Sequence, residues 1–183
     1  NIKHYCSICQ VYDAINSDDK FNYICNDCKN LRQKKEWRVV IYLSKSISTE
    51  FIHDKIIGGG CSSRRPDCYF ELLKHVVIVE IDEYQHKKYA EECECKRIND
   101  IVNDIGGKPV TFIRYNPDKT KHNNKIIKFE EKEKLVLLRD IIEREITTDP
   151  IKFEVKIIQL FYDDNFKEYA KIKTTDVTDI VTV

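Results

Sequence analysis

Val76-Val77-Ile78-Val79-Glu80-Ile81-Asp82-Glu83-Tyr84-Gln85-His86 is the stretch whose reading decides the fold. Its first four residues are apolar and mostly β-branched, which marks a strand buried on both faces. Upstream stands Arg64-Arg65-Pro66-Asp67. If Asp67 also lies on a strand and the chain turns back between Leu73 and Lys74, an antiparallel register pairs residues whose numbers sum to 147. Asp67 then faces Glu80. Directly opposed side chains start about 4.5 to 5.5 Å apart, close enough for two carboxylates to share one hard cation. Asp82 shares the face of Glu80, because side chains on a strand alternate.

Carboxylates gathered in one small space repel unless a divalent metal or a shifted proton neutralises them. The metal is the expected agent here. Mg2+ takes oxygen ligands and keeps several waters, which suits a site that activates water and holds a phosphate oxygen. His86, four residues past Asp82, is placed to act as a general base or as a donor to a phosphate. The plain alternative is an acidic strand end that is merely solvated.

Taken together, Arg65-Pro66-Asp67, Ile78-Val79-Glu80-Ile81-Asp82, Gln85-His86, Arg97, Gly106-Gly107 and Phe112-Ile113-Arg114 resemble the core of the very-short-patch-repair-like endonucleases. These form, with some homing endonucleases, a branch of the PD-(D/E)xK nuclease superfamily. The resemblance spans roughly Glu36 to Asp118. It implies a restriction-endonuclease-like core and Mg2+-dependent hydrolysis of DNA, with Mn2+ able to substitute. It makes Asp67 the principal metal ligand, sets Glu80 beside it and has His86 assisting. Asp82 and Glu36 would bind a second ion or orient the ligands of the first. The superfamily's Lys two residues after the second acid is replaced by Asp82, and Glu83 stands where relatives often carry Gly. For the Glu that relatives place on the preceding helix, Glu36 is the first choice and Glu50 the second. A nuclease core behind an N-terminal zinc module also resembles proteins of large DNA viruses.

That zinc module is expected at residues 1–34. Cys6-Ser7-Ile8-Cys9 and Cys25-Asn26-Asp27-Cys28 are two Cys-x-x-Cys pairs separated by fifteen residues. This spacing sets Cys6, Cys9, Cys25 and Cys28 around one structural Zn2+, with no open position for catalysis. Asn16-Ser17-Asp18-Asp19 between them reads as a polar turn, flanked by Tyr12 and Phe21 in a short hairpin. Two disulfides are the rival, and they need an oxidising compartment that nothing in the sequence indicates. An intracellular, reducing location is expected. Cys61, Cys68, Cys93 and Cys95 match no strong metal pattern and read as reduced thiols.

The chain has 183 residues, 42 % of them hydrophobic and 34 % charged, with 31 basic against 31 acidic side chains. That is enough for one core with a small satellite. The balanced charge gives no argument for nucleic acid, so any basic surface must come from uneven distribution. No apolar run is long enough to span a membrane, and no signal peptide is visible. The chain starts at Asn1 and has no Met, so the native start is expected to differ.

The fold class expected is α/β, a mixed sheet flanked by helices, with the core at 35–165 and a tail at 166–183 that adds at most a short strand. A helix is expected from Asn30 to about Leu43, carrying Glu36. Another is expected over Ile98, Ile101, Val102 and Ile105, ended by Gly106-Gly107. The next strand, Val110 to Ile113, should lie parallel to the one bearing Glu80, by the right-handed crossover rule. Arg97, Arg114 and Arg65 are candidates for holding a DNA phosphate, by paired hydrogen bonds from a guanidinium. For Arg97 and Arg114 an ion pair with Glu80, Asp82 or Asp100 is the alternative. Lys119 to Lys128 reads as a basic loop, able to lie along DNA or to stay solvated. Phe129 to Ile146 reads as an amphipathic helix and Ile151 to Ile157 as a strand with one wet face. The function reading is a DNA endonuclease, monomeric or homodimeric. Its rival is a zinc-containing nucleic-acid-binding adaptor whose core has lost activity.

Overall fold

A computed structural model describes residues 16–19, 22–24, 35–54, 56–57, 62–86, 91–150, 155–163 and 170–175. Strand β5 (Val76–Ile81) is the centre from which it is built, and all six of its residues are buried. The chain reaches it through β4 (Cys68–Glu71) and a tight return in which Leu72 N–H donates to His75 O at 3.0 Å. Cys68 pairs with Val79 and Glu71 with Val76, so the register is the one the sequence suggests, number sum 147 included. On the outer side of β4 lies the short β3 (Ile52–His53), with His53 opposite Cys68.

From β5 the chain passes through a single 3₁₀ turn, Glu83–His86, and a helix, Glu91–Ile105, to β6 (Val110–Tyr115). Strands β5 and β6 are parallel, with Glu80 paired to Arg114 and Ile81 to Tyr115. Gly106 and Gly107, at φ 71° and 97°, end the helix where a side chain would be strained. Past β6, Thr120–His122 (β7) and Lys125–Ile127 (β8) form an antiparallel hairpin. The expected basic loop is thus a β-ribbon. Its turn residues Asn123 and Asn124 sit at φ 48° and 61°, the left-handed conformation that Asn tolerates and two-residue hairpins require.

A second parallel partner, β9 (Val155–Leu160), flanks β6, and β10 (Ala170–Thr175) pairs antiparallel with β9. The six-stranded order is β10-β9-β6-β5-β4-β3. Strand β10 lies past residue 165, so part of the expected tail belongs to the core's sheet. With neighbours on both sides, β9 is interior, and its buried residues are Val155, Ile158 and Leu160 rather than a strict alternation. Residues 151–154 lie outside the described part.

Helices cover both faces. With α1 (Lys35–Ser46) and α2 (Glu91–Ile105) in place, the third, α3, runs Glu131–Thr147. Of the helix expected from Asn30 to about Leu43, residues 30–34 lie outside the described part, and the described part continues to Ser46. Helix α3 begins in a capping box, the Glu130 side chain and the Glu133 side chain each taking the other's backbone N–H. Val39, Val40 and Leu43 of α1 and Leu138, Ile141 and Ile142 of α3 pack on Val77, Val79, Ile81, Ile113 and Tyr115. Ile101 and Val102 of α2 pack on the other face, against Val76, Ile78, Val110 and Phe112. By strand alternation Glu80 and Arg114 fall on the α2 face, at the sheet edge where β5 and β6 end.

In the N-terminal part, Asn16–Asp19 (β1) pairs with Asn22–Ile24 (β2). The residues expected as a polar turn are therefore strand. A two-stranded ladder is held by main-chain hydrogen bonds, which polar side chains do not prevent. Cys6, Cys9, Cys25 and Cys28 lie outside the described residues, as do Cys61 and the side chain of Cys93. Cys68 is a free thiol buried in the core, its pKa driven well above the ordinary value by burial, and Cys95 is free and exposed.

Candidate functional site: an acidic edge held by arginines

Asp67 precedes β4 and turns its carboxylate along the sheet, where Oδ2 accepts the Ile81 N–H at 2.6 Å. That bond fixes the acid beside the end of β5. The segment leading to it is tied to α2, since Arg64 pairs with Asp100 at 2.9 Å and Ser62 Oγ hydrogen-bonds to Asp104. Arg97 of α2 donates to both Glu80 oxygens at 2.9 Å and to Arg65 O at 3.2 Å. Arg97 thus clasps the two chain segments that carry the acids.

Glu80 is 6 % exposed. Burial, then the charge of Asp67, push its pKa up to about 8 despite Arg97. Asp67 rises to about 6, chiefly through burial, with Glu36 raising it further and the Ile81 N–H and Arg97 opposing. The two acids therefore resist being charged together, as carboxylates do when a site lacks a full counter-charge. Asp82 plays a different part. It is fully buried, and its Oδ2 accepts from Arg114 Nε at 2.6 Å and from the Tyr162 hydroxyl.

Tyr162 was not singled out by the sequence, and its arrival depends on an unusual backbone. Phe161 adopts φ 62°, costly for a bulky residue. The turn is held because Phe161 O accepts from Asn116 Nδ2 at 2.8 Å and from Thr120 Oγ1 at 2.6 Å. Strain kept in place by two buried donors swings the chain off β9 and brings Tyr162 to Asp82.

A second residue that sequence reading missed is His53. Its Nε2 lies 3.3 Å from Glu36 Oε1, and its ring packs 5.2 Å from that of Trp37. The only signal was its position: β3 pairs with β4, so His53 borders Cys68 beside Asp67. Glu36, on the first turn of α1, is thereby directed to the acidic edge, and its charge is felt by Asp67. Arg65 is turned outward, its guanidinium on Asp54 O at 2.5 and 3.1 Å. His86 ends the 3₁₀ turn, and its ring lies outside the described residues. Glu50 is exposed beyond α1.

Among the described residues no three His, Cys, Asp or Glu side chains are gathered as a ready metal cage. Asp67 and Glu80 nevertheless suit a cation that takes two carboxylates and completes its sphere with water, as Mg2+ does. Their oxygens are hard donors, and the raised pKa values register the positive charge they would accept. Arg97 supplies part of that charge in the present arrangement.

Fold and site together define an α/β protein with a mixed sheet flanked by helices and a carboxylate pair, Glu80 buried and Asp67 half-buried, beside the end of its two central parallel strands. No protein-family model, curated protein or solved structure matches the chain. No helix among the described residues is long and apolar enough to cross a membrane.

Proposed function

We propose that this protein is a metal-dependent endonuclease acting on DNA phosphodiesters. The observation that carries the reading is the Asp67–Glu80 pair at the sheet edge, Glu80 buried and Asp67 half-buried, both pKa values raised chiefly by burial, Glu80 further by the charge of Asp67, and Arg97 opposing at each. Asp67 and Glu80 would hold Mg2+, or Mn2+ in its place. A bound divalent ion supplies Lewis-acid polarisation of a phosphate oxygen and a more acidic water. The chain's own part is positional. Ile81 N–H and Arg97 fix the two carboxylates, and Asp82 and Tyr162 brace Arg114. Arg97 would become a phosphate donor if Glu80, the acid it neutralises, took a metal, while Arg114 would approach a phosphate from its brace on Asp82.

Glu36 orients the attacking water in this scheme, and His53 is the positioning residue behind it. With Nε2 protonated, His53 donates to Glu36. His53→Ala is expected to lower kcat about ten- to a hundredfold with little change in KM, the worth of one hydrogen bond to a charged group. His53→Gln, which keeps a donor, should recover most of the loss. Equal losses in both variants would remove His53 from the scheme.

For the N-terminal module the proposal is one structural Zn2+ on Cys6, Cys9, Cys25 and Cys28, resting on their spacing. Metal analysis of the purified chain should find about one zinc per molecule, reduced in Cys25→Ser. A zinc-free chain with paired disulfides would reverse this.

A second reading has its own support. Arg97 and Arg114 already occupy Glu80 and Asp82, which suits a self-neutralised core that binds nucleic acid without cutting it. Supercoiled plasmid incubated with Mg2+, Mn2+ or chelator separates the two. Metal-dependent nicking or linearisation supports the nuclease. Salt-sensitive binding with no cleavage on plasmid, mismatched, branched or single-stranded DNA supports the adaptor.

A further inference from the structure

The same sheet edge that carries Glu80 on the α2 face opens on the other face into a cleft of about 450 Å3. The two are joined through the backbone: Tyr115, on the cleft floor, pairs with Ile81, and its carbonyl accepts the Asp82 N–H at 2.8 Å. By alternation Tyr115 points to the α1 and α3 side, away from Glu80.

Also in the floor is Lys134, a buried ammonium committed to the fold. It donates to Asn116 O and Asp118 O, each at 2.7 Å, and lies 5.4 Å over the Tyr115 ring. Burial pulls its pKa down to about 8, with Asp118 opposing. Two more cations of the lining are spoken for, Lys35 by Asp118 and Arg38 by Glu131. Lys119 and Lys128 are exposed at the rim and make no ion pair with a described residue. Glu130 is the acid nearest in sequence to Lys128, and it is engaged in the α3 capping box. Between the lysines, the β7–β8 hairpin presents Ile126, a large apolar side chain left 54 % exposed, and Phe129 lines the same cleft.

An apolar wall beneath a cationic rim, in a volume of a few hundred Å3, has the form of a site for a flat ring bearing a phosphate. We propose that this cleft seats one nucleotide of the DNA strand that crosses the sheet edge, its base against Ile126 and Phe129 and its phosphates on Lys119 and Lys128. The placement rests on the nuclease reading only for what happens at the other face. The binding itself does not require cleavage.

The test uses the full chain with no added Mg2+ or Mn2+, so that nothing is cut and the structural zinc stays in place. A fluorescent single-stranded DNA of roughly twelve nucleotides, within known single-strand site sizes, is titrated by anisotropy at several salt concentrations. The parent should bind, and K119E/K128E should bind about tenfold or more weaker. Its slope of log K against log salt should flatten by about 1.4, for two lost phosphate contacts. I126S, which adds no charge, should weaken binding at every salt concentration without changing the slope. Both changes lie on exposed side chains, and unaltered thermal unfolding would confirm intact variants. A deoxynucleoside 5′-monophosphate added as competitor identifies the source. Displacement at concentrations near the oligonucleotide's own marks a site for free nucleotides, and displacement only far above them marks a site for a strand. The second result retains the proposal, and the first overturns the strand as the occupant of the cleft. A parent that does not bind, or variants that bind as the parent does, would overturn it. A parent that binds through the cleft yet never cuts would sink the nuclease reading alone, and one that cuts with both variants unimpaired in binding would sink the cleft alone.

Discussion

Asp67→Asn is expected to reduce Mg2+-dependent nicking of supercoiled DNA by at least about a hundred- to a thousandfold. The estimate follows from losing several kcal/mol of metal-assisted stabilisation, with each tenfold in rate worth about 1.4 kcal/mol. Asn is the informative replacement because it separates charge from structure. Its amide oxygen can still accept the Ile81 N–H that Asp67 Oδ2 takes at 2.6 Å, so the end of β5 should remain anchored. What disappears is the negative charge that a cation would meet beside Glu80. Retained circular dichroism with lost cleavage would therefore assign Asp67 to the chemistry. Cleavage at the parent's rate would remove Asp67 from the site and with it the proposed metal position. The companion variant Asp82→Asn distinguishes this role from a supporting one. Asp82 is buried under Arg114 and Tyr162, so its loss should appear as lower thermal stability along with lower activity.

What the sequence disclosed about this site, and what it withheld, follows from the range of the forces involved. The pairing of β4 with β5 was legible because a run of β-branched residues fixes a buried strand, and a four-residue return fixes its register. Asp67, Glu80 and Asp82 came with it, as did the parallel placement of Arg114, since a strand, a helix and a strand leave few connections. The division of labour among the acids was not legible. Glu80 and Asp82 share a face by alternation, yet one meets Arg97 from α2 and the other Arg114 and Tyr162. Those partners are set by helix packing and by the left-handed Phe161, a conformation its sequence position does not announce. His53 was hidden for a similar reason: it sits on a strand of only two residues, Ile52–His53, too short for a periodicity. The basic stretch was misjudged because Asn123-Asn124, rather than a glycine, supplies the hairpin turn.

Stability should fall as pH rises from about 4 to about 8, the reverse of the usual behaviour of paired carboxylates. Asp67 is raised from 3.8 to about 6 and Glu80 from 4.5 to about 8. Between those limits the folded chain keeps protons that the unfolded chain has released. The slope of unfolding free energy with pH carries the sign of protons bound in the unfolded state minus those bound in the folded state, and is therefore negative. Below about pH 4 both states are protonated at these groups and the penalty is absent, and above about pH 8 it is complete. Because part of the Glu80 shift comes from the charge of Asp67, the two shifts do not add. A total on the order of a few kcal/mol is the reasonable scale, at 1.36 kcal/mol per unit. For a chain of this size that corresponds to roughly 10 °C in Tm between pH 5 and pH 8.5 with no added Mg2+ or Mn2+. Glu80→Gln should remove most of the slope, whatever it does to absolute stability by leaving Arg97 without its carboxylate. Mg2+ should restore Tm at pH 8.5 and do little at pH 5, because it binds the ionised pair and competes with the protons. A parent Tm that stays flat or climbs over this range, with Glu80→Gln following it in parallel, would mean that Arg97 alone satisfies the acids. The carboxylate edge would then have no deficit of positive charge for a metal to fill.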